Sequence, residues 1–286
     1  MALDVRKTYK LYLGGEFVRS ESGRYDPALD PKGQHLANVC RGSRKDVRDA
    51  VLKARAAQPG WEKATAYLRG QILYRMAEML EGRAAHFADL LRATTGATAA
   101  QSKREVRGTI DRIVHYAGWT DKYGALLSSV NPVASSYFDF SLPEPTGVVG
   151  IAAPDEPSLL GVVSHVLPAI TTGNTVVVLL SELHPLAGLE WSEVLATSDL
   201  PKGVVNLISG RKEELVPHLA RHMDLNALAL CDLPKPLATE ALKDAAVNVK
   251  RTKVYRIEDY DSPDAQGLEF LKAFVEIKTA WHPVGW

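Results

Sequence analysis

Four short apolar runs constrain this chain more than anything else in it: GVVGIAA at 147–153, NTVVVLL at 174–180, GVVNLIS at 203–209 and LNALALC at 225–231. Helical segments separate them: SLLGVVSHVLPAI, PLAGLEWSEVLA and KEELVPHLARH. A strand that is apolar at nearly every position has no face to offer water, so it belongs in a parallel sheet covered on both sides. Alternation with helices then sets the class as α/β, a parallel sheet with flanking helices.

The rest is read around that sheet. Near the start, KLYLGGEFVRS places Gly14-Gly15 between two alternating runs, which predicts a hairpin. Ser43 with Asp46 three residues on predicts a capping box, and Val47, Ala50, Val51 and Ala54 form one helical stripe that ends before Pro59-Gly60. From 66 to about 127 the pattern is helical, with breaks at Gly82, at TTGATA (94–99) and at Gly108. Alternating SSYFDFSLPEP (135–145) precedes the α/β part, and FLKAFVEIKTAW near the end reads as a strand with one wet face.

Lys+Arg and Asp+Glu both number 34, so no global charge points to nucleic acid or an anionic membrane as partner. No apolar run reaches the length of a membrane span, and MALDVRKTYK has no signal-peptide core. Cys40 and Cys231 make no disulfide framework, so a reducing, cytoplasmic setting is the expectation.

Several blocks resemble the aldehyde dehydrogenase family. LYLGGEFVRSESGRYDPALDPKGQHLANV is similar to its opening, and AAQPGWEKATAYLRGQILYRMAEML to its helix pair. PTGVVGIAAP, HVLPAITTGNTVVVLLSELHP and LPKGVVNLISG look like successive blocks of its NAD-binding domain. FVEIKTAW resembles the closing strand of its oligomerisation hairpin. The resemblance implies a Rossmann-like sheet plus a small β oligomerisation hairpin or flap. The degenerate dinucleotide-binding domain would span 1–134 and 146–260, and the flap 135–145 and 261–286.

The family's functional positions are altered. Where the resemblance implies Pro-Trp-Asn-Phe-Pro, with an oxyanion-binding Asn, this chain has Pro154-Asp155-Glu156-Pro157. A carboxylate accepts hydrogen bonds and would repel a developing oxyanion. Where Lys-Pro-x-Glu would hold the ribose, the chain has Leu179-Leu180-Ser181-Glu182, keeping only the Glu. Where backbone N–H groups would receive pyrophosphate, it has Cys231-Asp232-Leu233-Pro234-Lys235-Pro236, with two prolines that carry no N–H and one negative charge. The stretch matching the start of the catalytic domain reads VKRTKVY (249–255), and Phe270 follows with no room for that domain. A unit of this kind resembles the non-catalytic second half of aldehyde dehydrogenase family 16.

Other constellations favour bland readings. Cys231 ends a strand at a pocket-facing position, but an inert buried thiol is favoured over a nucleophile, because Asp232 beside it opposes the thiolate. His218 and His222 lack further ligands for zinc and read as solvated helix-end histidines. Asp155 and Glu156 as adjacent residues seldom converge on one substrate atom, and read as an acidic helix start. Lys250, Arg251 and Lys253 read as a solvated strand edge.

The expectation is therefore a non-catalytic aldehyde-dehydrogenase-like unit, with no catalytic residue, no metal and no bound cofactor. Its vestigial NAD site comprises Pro154, Glu156, Glu182, Cys231 and Asp232. Its partner would be a catalytic aldehyde dehydrogenase unit or a second copy, met through Tyr137, Phe138, Phe140, Phe274, Ile277 and Trp281. Two alternatives stand beside it: a residual nucleotide- or metabolite-binding module using Glu182, and an enzyme, either an NAD-dependent aldehyde oxidoreductase by family label or a new chemistry on Asp155, Glu156 or Cys231.

Overall fold

The computed structural model describes residues 7–284, so the first six residues of the charged N-terminus lie outside it. The chain opens with strands β1 (Thr8–Tyr9), β2 (Leu11–Leu13), β3 (Glu16–Val18), β4 (Tyr25–Leu29) and β5 (His35–Cys40). Helices α1 (Arg44–Lys63), α2 (Ala66–Glu81), α3 (Ala84–Thr95), α4 (Ala99–Ala117) and α5 (Tyr123–Leu127) follow, then β6 (Ser129–Asn131) and β7 (Tyr137–Pro145). The α/β part alternates β8 (Val148–Ala152), α6 (Leu160–Thr171), β9 (Thr175–Leu179), α7 (Pro185–Ala196), β10 (Val205–Ile208), α8 (Lys212–Arg221), β11 (Ala227–Cys231), α9 (Lys235–Ala246) and β12 (Arg251–Tyr255). Short helix α10 (Leu268–Lys272) leads into β13 (Val275–Pro283).

The four apolar runs became β8, β9, β10 and β11, each buried along its whole length. They lie parallel with β12 in a seven-stranded sheet of order β12-β11-β8-β9-β10-β2-β3, where the β2–β3 hairpin adds antiparallel at one edge. Successive side chains leave a strand on opposite faces. Val149, Ile151, Val176 and Val178 thus enter one hydrophobic cluster, while Val148, Ala152, Val177 and Leu179 enter the other. Helices α1, α8 and α9 cover the second cluster, and α6, α7 and the α2–α4 group cover the first. Gly14 and Gly15, at φ +62° and +78°, turn the β2–β3 hairpin in the left-handed conformation that glycine adopts without strain.

Ser43 caps α1 with the expected box: its hydroxyl accepts the Asp46 N–H while the Asp46 carboxylate accepts the Ser43 N–H. Two expected helix boundaries are corrected. Helix α1 runs through Pro59 to Lys63, because buried Trp61 holds its last turn with an Nε1–H···O=C bond of 2.8 Å to Ile170. Packing there outweighs the N–H that Pro59 lacks. Gly108 does not break α4. A Cβ there would lie 3.2 Å from Asp261 Oδ1 and 3.5 Å from Leu160 Cδ2, so this glycine sits where α4 packs against α6 and the segment after β12.

A separate three-stranded sheet, β13-β7-β6, stands beside this body. It includes β6, upstream of the boundary expected at 135, whereas Phe270, Leu271 and Phe274 pack into the main core instead. FLKAFVEIKTAW is therefore helix end and turn as far as Phe274, and strand only from Val275.

Candidate functional site

The carboxyl ends of β8, β9 and β10 lie side by side in the parallel part of the sheet, and open α/β sheets bind ligands in the crevice outside the carboxyl ends of their strands. Here the chain's own side chains tie the three loops together. Asp155, after β8, accepts the Glu182 N–H at 2.7 Å and the Lys212 ammonium at 2.8 Å through the same Oδ1. The Glu182 carboxylate accepts the Lys212 N–H at 2.8 Å, at the start of α8. Ser181 donates to the Asp155 carbonyl at 2.9 Å and accepts the His184 N–H at 2.9 Å, while His184 Nε2 meets Glu156 Oε1 at 3.2 Å. The Lys212 side chain is only 7% exposed, so its charge needs a partner, and Asp155 supplies it.

Of the expected site residues, the structure brings Glu156 and Glu182 to this crevice, with Pro154 buried beneath it. Cys231 and Asp232 face a different neighbourhood. The pocket-facing position expected for Cys231 is corrected: the thiol is fully buried on the α6 side of the sheet, and burial pushes its pKa up. Burial and the raised pKa both disfavour the thiolate. Asp232 sits at φ +51°, its N–H bonded to the Tyr255 carbonyl and its carboxylate to the Tyr260 hydroxyl. That hydroxyl also meets His165 Nε2 at 2.9 Å. Burial holds the His165 pKa down at about 3, so the ring is neutral. A proton on Nε2, with Tyr260 donating onward to Asp232, satisfies all three groups and leaves His165 Nδ1 as a bare acceptor. Helix α9 begins with Pro234 at its cap and Pro236 at its second residue, so neither position has an N–H to offer an anion.

Lys212, Glu105, Tyr260 and Arg112 have no signal in the sequence that places them here. Glu105, on α4, accepts the Leu159 and Leu160 N–H groups at 2.9 and 3.3 Å, and so caps the start of α6 from another helix. Burial raises its pKa, with the charges of Asp261 and Glu156 adding to the effect.

The β13-β7-β6 sheet carries apolar side chains on both faces. Tyr137, Ile277 and Trp281 lie on one, where Tyr137 meets Trp281 edge-to-face at 5.8 Å beside a polar ladder of Asn131, Ser141 and Thr279. Val130, Phe138, Phe140 and Leu142 lie on the other, with Phe138 and Phe140 5.4 Å apart. Phe274, expected at this surface, is instead 1% exposed in the main core, because the chain turns there and its carbonyl accepts from Thr146 and Asn174. Lys250, expected to be solvated, is buried with its ammonium on Asn248, and Arg251 pairs with Glu276 at 2.7 Å. His218 and His222 stand at the end of α8, and among the described residues no group of three His, Cys, Asp or Glu could hold a metal ion.

The aldehyde dehydrogenase family model matches residues 17–251. This chain belongs to the aldehyde dehydrogenase family. It is 35% identical over 224 residues to aldehyde dehydrogenase family 2 member B4, mitochondrial, of Arabidopsis thaliana, covering 77% of this chain and 41% of that one. To retinal dehydrogenase 2 of Gallus gallus it is 31% identical, covering 79% and 44%. Among solved structures, the NAD+ complex of aldehyde dehydrogenase from Bacillus cereus matches with a TM-score of 0.83 at 25% identity, covering 87% of this chain and 51% of that one. The chain thus spans about half the length of the relatives it matches, and the α/β fold is that of the family. Among the described residues no helix is long and apolar enough to cross a membrane.

Proposed function

We propose that this chain is a non-catalytic aldehyde-dehydrogenase-like unit that associates with a catalytic aldehyde dehydrogenase subunit, or with a second copy of itself, through the β13-β7-β6 sheet. In this reading it corresponds to the non-catalytic second unit of aldehyde dehydrogenase family 16, working in a cytoplasmic setting. The observation that carries it is the sheet itself. Tyr137, Phe138, Leu142, Ile277 and Trp281 are each between 44% and 59% exposed, on two faces of one small sheet. Exposed apolar surface of this kind marks an interaction site.

The crevice supports the same reading. The carboxylate at Glu182 that would meet a ribose is occupied by the Lys212 N–H, Asp155 is neutralised by the Lys212 ammonium, and α9 opens on two prolines. These residues do not fit a dinucleotide, and no catalytic step is assigned to them. The chain passes from β12 to β13 through one short segment and α10, which is in keeping with this reading.

Sedimentation velocity on the chain alone, and mixed with an aldehyde dehydrogenase subunit, tests the association. Ile277→Asp and Trp281→Asp should weaken it about tenfold or more while leaving the circular dichroism spectrum unchanged. Association indifferent to both substitutions would refute the reading. Phe274→Asp is no such test, because it places a charge in the core.

The second reading, residual nucleotide binding at Glu182, draws on a Bacillus cereus relative solved with NAD+. Calorimetric titration with NAD+ and NADP+ separates the two: silence at about millimolar ligand agrees with the first, and micromolar affinity establishes the second.

A further inference from the structure

Strand β13 is nine residues long and lies at the edge of the small sheet, paired along its whole length to β7 and to no strand on its other side among the described residues. Val284 donates to the Ser136 carbonyl at 3.1 Å, and the Phe274 carbonyl accepts the Thr146 N–H at 3.2 Å, so bonds to this neighbour fall on even-numbered positions. Hydrogen-bonded positions alternate along an antiparallel pair. Val275, Ile277, Thr279 and Trp281 therefore aim their N–H and C=O groups at the free edge. Pro145 and Pro143 stand opposite Val275 and Ile277, at positions where β7 owes β13 no N–H. An open row of backbone groups is a template for another strand.

The side chains decide which strand fits. Outward-facing odd positions must meet outward-facing odd positions, so a second copy of β13 laid antiparallel has few registers open to it. With Lys278 at the centre, two ammonium groups stand directly opposite, which is destabilising. With Ala280 at the centre, Lys278 faces His282 and Ile277 faces Pro283, which has no N–H to donate. Centring on Ile277 or Trp281 shortens the overlap to 275–279 or 279–283. With Thr279 at the centre, all nine residues overlap. Ile277 then meets Trp281 of the second copy, on the face where Tyr137 already packs against Trp281 at 5.8 Å. Glu276 meets His282, Lys278 meets Ala280, and no like charges are opposed. Lys278 keeps Glu144 at 3.2 Å, and Glu276 keeps Arg251 at 2.7 Å.

We propose that two copies of this chain associate by antiparallel pairing of β13 with β13 about a two-fold axis at Thr279, joining two three-stranded sheets into one of six strands. This rests on the reading that the small sheet is the association surface, and names a second copy as the partner and the β13 edge as the contact. The two-fold makes the interface isologous, so each favourable cross-strand pair occurs twice. Main-chain bonds supply the attachment, and the Ile277–Trp281 contacts fix the register.

Thr279→Cys tests that register. Its side chain is exposed, and Cys40 and Cys231 are buried, so an oxidant reaches the new thiol first. Opposed Cα atoms of a hydrogen-bonded pair lie about 5.5 Å apart, inside the span of about 4.4–6.8 Å that a disulfide bridges. The two copies of position 277 lie four residues out of register, about 14 Å apart along the strands. Mild oxidation of the intact chain should therefore crosslink the Thr279→Cys variant at least about tenfold faster than the Ile277→Cys variant. Thr279→Pro removes one outward N–H and leaves the bonds to β7 in place. Sedimentation velocity should show its dimer weakened about tenfold or more, with an unchanged circular dichroism spectrum. Equal crosslinking at both positions, a dimer that crosslinks at neither, or a dimer indifferent to Thr279→Pro overturns the β13 pairing and leaves association through the small sheet standing. A chain that stays monomeric at about 100 μM also overturns the pairing, and the underlying reading falls with it only if an aldehyde dehydrogenase subunit fails to bind as well.

Discussion

Arg112 on α4 donates from Nη2 to the backbone carbonyl of Tyr260 at 2.6 Å. The same guanidinium reaches Ala265 O and Ser164 Oγ, each at 2.7 Å, so one buried side chain fastens the segment between β12 and α10 to the helical layer. In longer relatives the chain covers about twice this length. Arg112 is the clamp on this segment.

Arg112→Met should therefore destabilise the fold by about 2–4 kcal/mol, because two carbonyls and a hydroxyl lose their donor inside the protein. Hydrogen exchange should localise the loss to residues 256–267. Protection there unchanged, with the loss spread evenly, would show that Arg112 is no clamp.

Lys212 and Asp155 should behave as a coupled pair. Lys212→Met leaves Asp155 with only the Glu182 N–H, and Asp155→Asn leaves a nearly buried ammonium without its counter-charge. A double-mutant cycle by urea unfolding should give a coupling of about 1 kcal/mol, limited by screening at the more exposed Asp155 end. Additive single effects would show that the crevice is not closed by this pair.

His165 should make the fold acid-sensitive. Its pKa is depressed in the folded chain, to about 3, so the unfolded chain takes the proton first as pH falls. Stability from this group is complete above the ordinary histidine pKa and falls by roughly 1.4 kcal/mol per unit as pH drops from about 6.5 towards that folded value. His165→Gln should remove that slope, measured as the difference between wild type and variant at pH 7.5 and pH 5. Equal slopes would mean the ring is not held neutral.

The last turn of α1 gives a contrast between packing and backbone. Trp61→Ala should cost about 3–5 kcal/mol, since it empties a fully buried site and orphans the Ile170 carbonyl. Pro59→Ala should change stability by less than about 1 kcal/mol, because the helix already runs through that position. A larger effect at Pro59 than at Trp61 would reverse the account of why the helix continues.

The parallel core was legible because its cause is local. β8 and β11 have no polar side chain and β9 has only Thr175, and all three strands are buried along their whole length. The Ser43–Asp46 cap and the Gly14-Gly15 turn were legible for the same reason, since the bonds or dihedrals involved span a few residues. Pro59, Gly108 and Phe274 misled because each answers to a distant partner: Ile170 at Trp61, Leu160 at Gly108, and the Asn174 amide at the Phe274 carbonyl.

The sequence by itself determined that this is an α/β chain of the aldehyde dehydrogenase family that carries Asp155, Glu156, Asp232 and several prolines just after its apolar runs. Residue types and short-range spacing carry that much. Only the tertiary structure decided what those residues do. It set Lys212, 57 positions from Asp155, against that carboxylate, brought Glu105 to the start of α6, and sank Cys231 out of reach. Those outcomes depend on which loops the sheet gathers at its carboxyl edge, and strand order is a property of the whole packed sheet rather than of any one stretch of chain.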